Sequence, residues 1–270
     1  MKKAFSTLAC HELGLGELLS LAEKHGMEAI EIRLDREDRM CGYDLDTIEK
    51  AKKILSGSRV VISDLGTGIT FDGREDKSQQ IERCARLAQA VGAPALRVFA
   101  SAGAKHPNEI TDQDTERAAA MLQLSADVAA RYGIELWIET HSAFSTGKSV
   151  AALLSKVQKS NVRVIWDIMH SIEFGESPEE SVKYLGDFLV HVHLKDGVPP
   201  EGGENMHYRL TALEKGAVSF EEIATALSSI SYDGYLSLEW ELMWHPELGA
   251  CYPSIDALLD AYRALLERWF

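Results

Sequence analysis

The sequence predicts a single α/β domain folded as a (β/α)8 TIM barrel that extends over residues 1–270. Short apolar or β-branched runs alternate eight times with longer amphipathic stretches along the chain. Each pair occupies about 34 residues, which fits a barrel of typically ~250 residues. A doubly wound open sheet is the alternative, but it usually has fewer strands, and no Gly-x-Gly-x-x-Gly follows the first strand here.

The predicted strands are apolar runs bounded by polar residues or glycine. In chain order they cover residues 4–8, 29–33, 60–65, 95–99, 135–139, 162–167, 190–194 and 235–239. Helical periodicity predicts the elements between and after them, at residues 15–24, 44–55, 78–91, 111–132, 149–157, 178–185, 220–229 and 255–269. Gly26, Gly92 and Gly133 follow three of these helices, where a left-handed C-cap favours glycine. Ser177 and Pro178 supply an N-cap and a first-turn proline.

One long polar segment interrupts this alternation, at residues 196–216 between the seventh strand and its helix. It contains Pro199-Pro200 and Gly202-Gly203 and has no helical period. An insertion after a barrel strand lies on the catalytic face, so we expect an ordered, non-helical lid over part of the cavity. A phosphate bound near Gly202, Gly203 or Arg209 would indicate a phosphorylated substrate.

Composition excludes several classes of protein. The net charge of −14, without a run of Lys or Arg, argues against nucleic acid or an anionic membrane as partner. No apolar stretch approaches ~20 residues, and His11 and Glu12 interrupt the N-terminal apolar run too early for a secretion signal. The four cysteines form no Cys-x-x-Cys pair. We therefore expect a cytoplasmic protein with a small-molecule substrate, and the sequence leaves a homo-oligomer open.

Four successive predicted strands end in residues that can bind a metal ion. They are Glu139, Asp167, His193 and Glu239, and the C-terminal strand ends of a barrel carry its reacting groups. Three carboxylates and one imidazole suit Mn²⁺, Mg²⁺ or Co²⁺, and clustered carboxylates repel one another without a cation between them. The sequence predicts one divalent metal ion, with Mn²⁺ preferred and Mg²⁺, Co²⁺ or Zn²⁺ as alternatives.

Two of these assignments have competitors along the same strands. His193 is preferred to His191 because it lies nearer the rim, which makes His191 a core histidine with satisfied hydrogen bonds. Glu239 is preferred to Glu241 because the last strand ends before the latter. Side-chain alternation places a second inward layer below the ligands and a charged pair at the barrel floor. That layer comprises Trp137, Ile165, His191 and Ser237, and the pair is Glu135 with Arg163.

Other polar residues at the rim are candidates for contact with substrate. His170 and His141 follow two of the ligand positions directly. His207 and Arg209 lie in the long segment, where solvated loop residues are equally expected. Glu31 and Arg33 end the second strand, where a substrate contact and an ion pair remain alternatives.

These motifs carry a family resemblance. Ile138-Glu139-Thr140-His141, Asp167-x-x-His170, His191-Val192-His193-Leu194-Lys195-Asp196 and Leu236-Ser237-Leu238-Glu239 resemble the xylose isomerase-like superfamily, in its sugar phosphate isomerase/epimerase branch. The resemblance implies a TIM barrel whose metal ligands are Glu139, Asp167, His193 and Glu239. It also implies that His170 binds a substrate oxygen, as the matching histidine does in ketose 3-epimerases.

The chain departs from the family pattern at two positions. Glu214 stands where a Gly-x-Gly stretch has its first glycine, and Pro199 stands where 3-epimerases carry an arginine. Lys195 or Arg209 could replace that arginine as a substrate-binding cation. These departures weaken a simple 3-epimerase assignment.

The leading hypothesis is a metal-dependent isomerase or epimerase of a sugar or sugar phosphate. Glu139 and Glu239 would bind the metal and transfer protons through an enediolate. The alternative is an inosose dehydratase-like lyase that uses the same site to expel a β-hydroxyl. An apurinic endonuclease-like hydrolase is disfavoured by the acidic charge and the single histidine ligand, and a non-catalytic barrel by the intact ligand set.

Overall fold

Eight parallel strands close into a barrel in the computed structural model, which describes residues 1–35, 39–40, 48–102, 104, 106–200 and 207–270. The strands follow one another around the barrel in chain order, and the last pairs with the first. They are β1 (Lys2–Ser6), β2 (Ala29–Asp35), β3 (Val61–Phe71), β4 (Ala95–Ala100), β5 (Glu135–Glu139), β6 (Val162–Asp167), β7 (Leu189–Leu194) and β8 (Tyr235–Leu238). The predicted (β/α)8 barrel is confirmed.

Helices cover the outside of this barrel. They are α1 (Leu15–Lys24), α2 (Ile48–Leu55), α3 (Ser78–Val91), α4 (Asp112–Ala130), α5 (Gly147–Leu154), α6 (Ile168–Glu173), α7 (Pro178–Leu185), α8 (Phe220–Ser229) and α9 (Ile255–Trp269). Each buries one apolar face against the strands, as an amphipathic barrel helix must. Within the described residues, no helix has the length and apolar character needed to cross a bilayer.

Several helix boundaries follow from local capping. The bounds predicted for α1, α3, α7, α8 and α9 are confirmed. α4 starts one residue later than predicted because Thr111 is its N-cap and shares a capping box with Asp114. α5 starts earlier because Thr146 and Ser149 form a second box. The predicted start of α2, at residues 44–47, lies outside the described residues.

Five strand predictions were wrong at their C-terminal ends, and two of these strands, β2 and β4, run two residues and one residue past the predicted end. β1 ends at Ser6, and residues Thr7–Ala9 form a 3-10 turn whose Thr7 hydroxyl accepts a hydrogen bond from the backbone N–H of Arg33 at 2.9 Å. β3 continues to Phe71, past the predicted end at residue 65, through its pairing with β4. β8 ends at Leu238, so Glu239 follows the strand instead of closing it.

The barrel interior has the layering that the side-chain alternation predicts. Trp137, Ile165, His191 and Ser237 are buried below the rim, and Trp137 packs with Ile165 and Ala95. At the floor, Arg163 Nε lies 3.9 Å from Glu135 Oε1. Both predictions are confirmed, which fixes the register of the site residues one layer above.

The long segment after β7 begins and ends as an ordered, non-helical structure. Gly197–Val198 pairs with Arg209–Leu210 as a short antiparallel ribbon. Residues 201–206, including Gly202 and Gly203, lie outside the described residues, so the lid stays a prediction. Glu214 adopts a φ of 60° at the position where the family pattern has glycine, a left-handed conformation that is costly for most residues.

Asp196 anchors the turn that follows this ribbon. Its carboxylate accepts hydrogen bonds from the backbone N–H groups of Gly197 at 2.8 Å, Lys215 at 3.1 Å, Gly216 at 2.9 Å and Val218 at 3.2 Å. A Cβ atom at Gly216 would clash with Asp196 Oδ1 and with the carbonyl oxygen of Gly197. The turn therefore requires glycine at this position.

Gly216→Ala is expected to lower the free energy of unfolding by about 1–3 kcal/mol or more, the usual cost of overpacking a tight site. Urea denaturation followed by circular dichroism measures this change. Gly57→Ala is the control, because its nearest new contact is an ordinary 3.5 Å. Equal midpoints for the two variants would contradict the role assigned to the Asp196 turn.

Candidate metal centre

Four buried side chains from adjacent strand ends converge inside the rim of the barrel. Glu139, Asp167, His193 and Glu239 each offer one ligand atom, and these atoms all lie within 4.8 Å of one another. Each side chain is almost fully buried. The structure therefore brings together the four residues that the strand-end pattern predicts as metal ligands.

Backbone pairing at the strand ends sets this convergence. Thr140 follows β5, donates its backbone N–H to the Ile165 carbonyl at 3.0 Å and accepts the N–H of Asp167 on its hydroxyl at 2.8 Å. In the register of β6 and β7, Asp167 lies beside His193. Glu239 donates its N–H to the Leu194 carbonyl at 3.1 Å, which holds it beside β7 although the strand has ended.

Asp167 also starts a helix that the sequence did not predict. Its Oδ1 accepts hydrogen bonds from the backbone N–H groups of Met169 at 3.0 Å and His170 at 3.3 Å, so it is the N-cap of α6. This geometry turns the chain directly after β6. It places His170 Nε2 3.4 Å from Asp167 Oδ2.

His193 is oriented by a carboxylate on the far side of its ring. Its Nε2 lies 2.9 Å from Glu31 Oε2. Its Nδ1 faces the other way, 3.4 Å from Glu239 Oε1 and 3.9 Å from Glu139 Oε2. The lone-pair nitrogen of a neutral His193 would thus point at the two glutamates.

Two buried cations lie against the carboxylates. Arg97 Nη1 donates to Glu139 Oε2 at 2.6 Å. Lys195 Nζ lies 2.6 Å from Asp167 Oδ2, 2.7 Å from Glu239 Oε2 and 2.6 Å from Glu241 Oε1. These two side chains offset part of the repulsion between the carboxylates, which the sequence predicted a metal ion would relieve.

The pKa values reflect this concentration of charge. Burial works against the charged form of Lys195, but Asp167, Glu239 and Glu241 hold its pKa well above the ordinary value. Burial likewise opposes a charged His193, yet Glu239, Glu31 and Glu139 raise its pKa well above 6.5. For Glu239, the charges of His193 and Lys195 outweigh burial and lower the pKa.

The donor set fits a divalent cation. His193 Nδ1 is buried and makes no hydrogen bond to any described residue, whereas Asp167 Oδ2 contacts the Lys195 ammonium at 2.6 Å. Both belong to the group of ligand atoms that lie within 4.8 Å of one another. Carboxylate oxygens with one imidazole are ligands that Mn²⁺, Mg²⁺, Co²⁺ and Zn²⁺ accept. These four residues could hold one metal ion.

Two histidines stand side by side at the edge of this cluster. The rings of His141 and His170 meet edge to face with their centroids 4.9 Å apart. Burial, followed by the charge of His170, lowers the pKa of His141 to about 3. For His170, the charge of Asp167 outweighs burial and raises the pKa to about 8. One imidazole is thus neutral and the other protonated near pH 7.

Glu173 connects His170 to the end of the long segment. Its Oε1 accepts the Tyr208 backbone N–H at 2.6 Å, and its Oε2 lies 3.2 Å from His207 Nδ1 and 3.5 Å from His170 Nδ1. His207 is exposed, and Arg209 is exposed on the short ribbon. Binding of substrate by His141, His170, Lys195 and Arg209 stays a prediction.

Sequence reasoning missed Arg97, and it left Glu31 undecided between substrate contact and ion pair. A charged residue in the middle of the apolar strand β4 is the signal that could have identified Arg97. Glu31 faces His193, whereas Arg33 donates to the Gly66 carbonyl at 3.0 Å. The expectation that His191 has satisfied hydrogen bonds was wrong, because the nearest carboxylate oxygens, on Glu31 and Asp64, lie 3.4 and 3.8 Å from its ring nitrogens.

Comparison with known proteins gives a family match over most of the chain. The model of the family described as "xylose isomerase-like TIM barrel" matches residues 19–264. A 3-dehydroshikimate dehydratase from Bacillus anthracis is 22% identical over 260 residues, which cover 89% of this chain and 91% of the relative. That relative is an enzyme that spans nearly the same length.

Solved structures share the fold at low sequence identity. The IolI protein with a bound zinc atom superposes with a TM-score of 0.82 at 17% identity and covers 100% of this chain and 99% of its own. A D-psicose 3-epimerase determined in the presence of D-fructose has a TM-score of 0.77 at 20% identity, with 99% and 98% covered. At these identities the likeness concerns the fold.

Proposed function

The chain belongs to the xylose isomerase-like TIM barrel family, and from this premise we propose that it is a divalent-metal-dependent lyase that eliminates water from a polyhydroxylated ketone. Glu139, Asp167, His193 and Glu239 would hold the metal ion. A bound ion polarises the substrate carbonyl and makes the adjacent C–H more acidic. The chain's own side chains then have to move the protons.

The observation that carries the lyase proposal is the pair of rim imidazoles. His141 and His170 lie 4.9 Å apart on one side of the cluster, close enough to act on neighbouring substrate carbons. Elimination needs a base that takes the proton next to the carbonyl and an acid that protonates the hydroxyl on the next carbon. The C–H and C–O bonds break, a C=C bond forms, and the hydroxyl leaves as water.

The buried ion pairs support the same assignment. Glu139 is paired with Arg97 at 2.6 Å and Glu239 with Lys195 at 2.7 Å. At Glu239 the charges of His193 and Lys195 lower the pKa, which makes this carboxylate a weaker proton acceptor. His141 and His170 flank the same cluster and are the other groups placed for proton transfer. The near full-length similarity to a dehydratase agrees with this proposal.

An isomerase or epimerase is the second candidate, and the positions of Glu139 and Glu239 favour it. Glu139 ends β5 and Glu239 follows β8, with β6 and β7 between them, so the two side chains approach the cluster from two directions. Proton removal by one and return by the other would invert a carbon centre. A 3-epimerase among the structural neighbours is consistent with this alternative.

Product analysis distinguishes the two reactions. We expect the Mn²⁺-loaded protein to convert a cyclic hydroxy-ketone, with 3-dehydroshikimate and inosose as probes, into a product that is one water lighter by mass spectrometry. D-Fructose and D-psicose test for epimers of unchanged mass. The chelated protein is the control for both.

Conversion of the open-chain ketoses without loss of water would overturn the lyase proposal in favour of the second candidate. Turnover that persists unchanged after chelation would refute metal dependence for either reaction.

A further inference from the structure

A second polar layer lies directly beneath the candidate metal centre. Glu31, on β2, is 1% exposed, and its Oε2 lies 2.9 Å from His193 Nε2 and 3.4 Å from His191 Nε2. The same oxygen accepts the Ser237 hydroxyl at 3.2 Å. One carboxylate oxygen is thus hydrogen-bonded to His193 and Ser237 and lies near His191 in the closed interior of the barrel.

We propose that Glu31 is the positioning residue for His193, an inference that rests on the metal site proposed above. An ionised carboxylate only accepts hydrogen bonds, so the contact with Glu31 requires a proton on His193 Nε2. A neutral His193 then carries its lone pair on Nδ1. That nitrogen faces Glu239 Oε1 at 3.4 Å and Glu139 Oε2 at 3.9 Å, where a metal ion would lie.

The surroundings of Glu31 keep its carboxylate in place. His191 is buried behind it, and its Nδ1 lies 3.8 Å from Asp64 Oδ1, which accepts the Ser63 hydroxyl at 2.8 Å. The rings of Trp137 and Tyr235 pack against His191 at 5.7 and 5.8 Å. Among the contacts of Glu31 Oε2 with these buried groups, the one with His193, at 2.9 Å, is the shortest.

Metal-bound histidines usually donate their second ring N–H to a carboxylate or carbonyl, which fixes the tautomer and the ring orientation. The present geometry supplies that carboxylate before any ion is bound. Glu31, His191 and His193 also offer ligand atoms within 4.8 Å of one another, so a metal ion held by these three is the competing interpretation. The two interpretations differ in the number of ions bound per chain.

The test measures metal binding without substrate. Wild-type protein is expected to bind one Mn²⁺ per chain by calorimetry and elemental analysis. Glu31→Gln keeps an oxygen that can accept the hydrogen bond, and we expect its affinity to fall about 10-fold. Glu31→Met removes the acceptor, and its affinity is expected to fall about 100-fold. In Zn²⁺-loaded wild type, ¹⁵N NMR should show His193 bound to zinc through Nδ1 and protonated on Nε2, and Glu31→Met should bind zinc through either ring nitrogen.

Glu28→Gln is the matched control, because Glu28 lies at the opposite end of β2 and contacts the backbone N–H of Lys3 at 3.0 Å. Unchanged affinity in a folded Glu31→Met would overturn the proposal, and if that variant does not fold, unchanged affinity and tautomer in the near-isosteric Glu31→Gln would do so. Two ions in wild type and one in the Glu31 variants would also overturn it, since Glu31 would then be a ligand. The absence of any metal binding in wild type would refute the metal site itself, whereas normal binding without turnover would count only against the proposed reaction.

Discussion

Asp167→Asn is expected to abolish measurable Mn²⁺ binding and to lower turnover by at least ~10⁴-fold, the upper end of what one acid–base group contributes. The substitution separates two functions of one side chain. Oδ1 caps α6 through Met169 and His170, and asparagine caps a helix as well as aspartate does. Oδ2 would become an uncharged amide group 2.6 Å from Lys195 Nζ, which removes the anionic ligand.

Metal titration and thermal unfolding check this expectation together. A metal ion present at 100 times its Kd stabilises the wild-type fold by about 2.7 kcal/mol, so loading should raise the wild-type Tm. Asp167→Asn should unfold at a temperature that does not depend on Mn²⁺. Asp127→Asn is the control, because Asp127 is exposed and contacts Lys159 on the surface. A Mn²⁺-dependent Tm in Asp167→Asn equal to that of wild type would exclude Asp167 as a ligand.

The sequence predicts the barrel well because local patterns determine most of its elements. β5 and β6 combine an apolar run with an acidic end, and their predicted bounds are confirmed. α6 was missed because a six-residue helix is too short to show a hydrophobic period. Its start depends on the N-cap at Asp167. β1 was extended too far because Leu8 and Ala9 are apolar, although they are buried in a 3-10 turn and not in a strand.

The candidate site was predictable only where it follows the strand order. Glu139, Asp167, His193 and Glu239 lie at or directly after the C-terminal ends of successive strands, so the fold alone brings them together. The contact of Glu31 with His193 joins residues 162 positions apart across the barrel, and no local pattern encodes it.

The ionic partners of the ligands were harder still to predict. Substrate binding by Lys195 stays a prediction, and the structure adds that this side chain is 1% exposed and contacts three carboxylates. Arg97 pairs with Glu139 in the same way. Net charge says nothing about such pairs, because it counts charges without their distances. The site therefore contains two buried cations, Lys195 and Arg97. A bound metal ion would have to share the carboxylates with them.

Mutations can distinguish the residues that bind the metal ion from the residues that transfer protons. Glu139→Gln and Glu239→Gln should each lower both metal affinity and turnover, and turnover should recover in part at saturating Mn²⁺. Glu139→Gln also leaves Arg97 without its carboxylate, and loss of one partner in a buried pair costs ~3–5 kcal/mol, so its Tm should fall. Glu135→Gln, on the same strand at the barrel floor, is the control and should resemble wild type.

His170→Asn and His141→Asn are expected to lower turnover by ~10²–10⁴-fold at every Mn²⁺ concentration while metal affinity stays within a few-fold of wild type. The reason is that these rings lie beside the four proposed ligands, 4.9 Å from each other, and form only with Glu139 a separate group whose ligand atoms lie within 4.8 Å of one another. Exchange of the substrate α-hydrogen with solvent deuterium identifies the base, because the variant that lacks it cannot exchange, whereas the variant that lacks the acid still can. If both histidine variants keep near-native turnover while Glu139→Gln and Glu239→Gln stay at least ~10²-fold slow with the metal site filled, the two carboxylates move the protons. The reaction would then be the epimerisation that their two-sided placement allows.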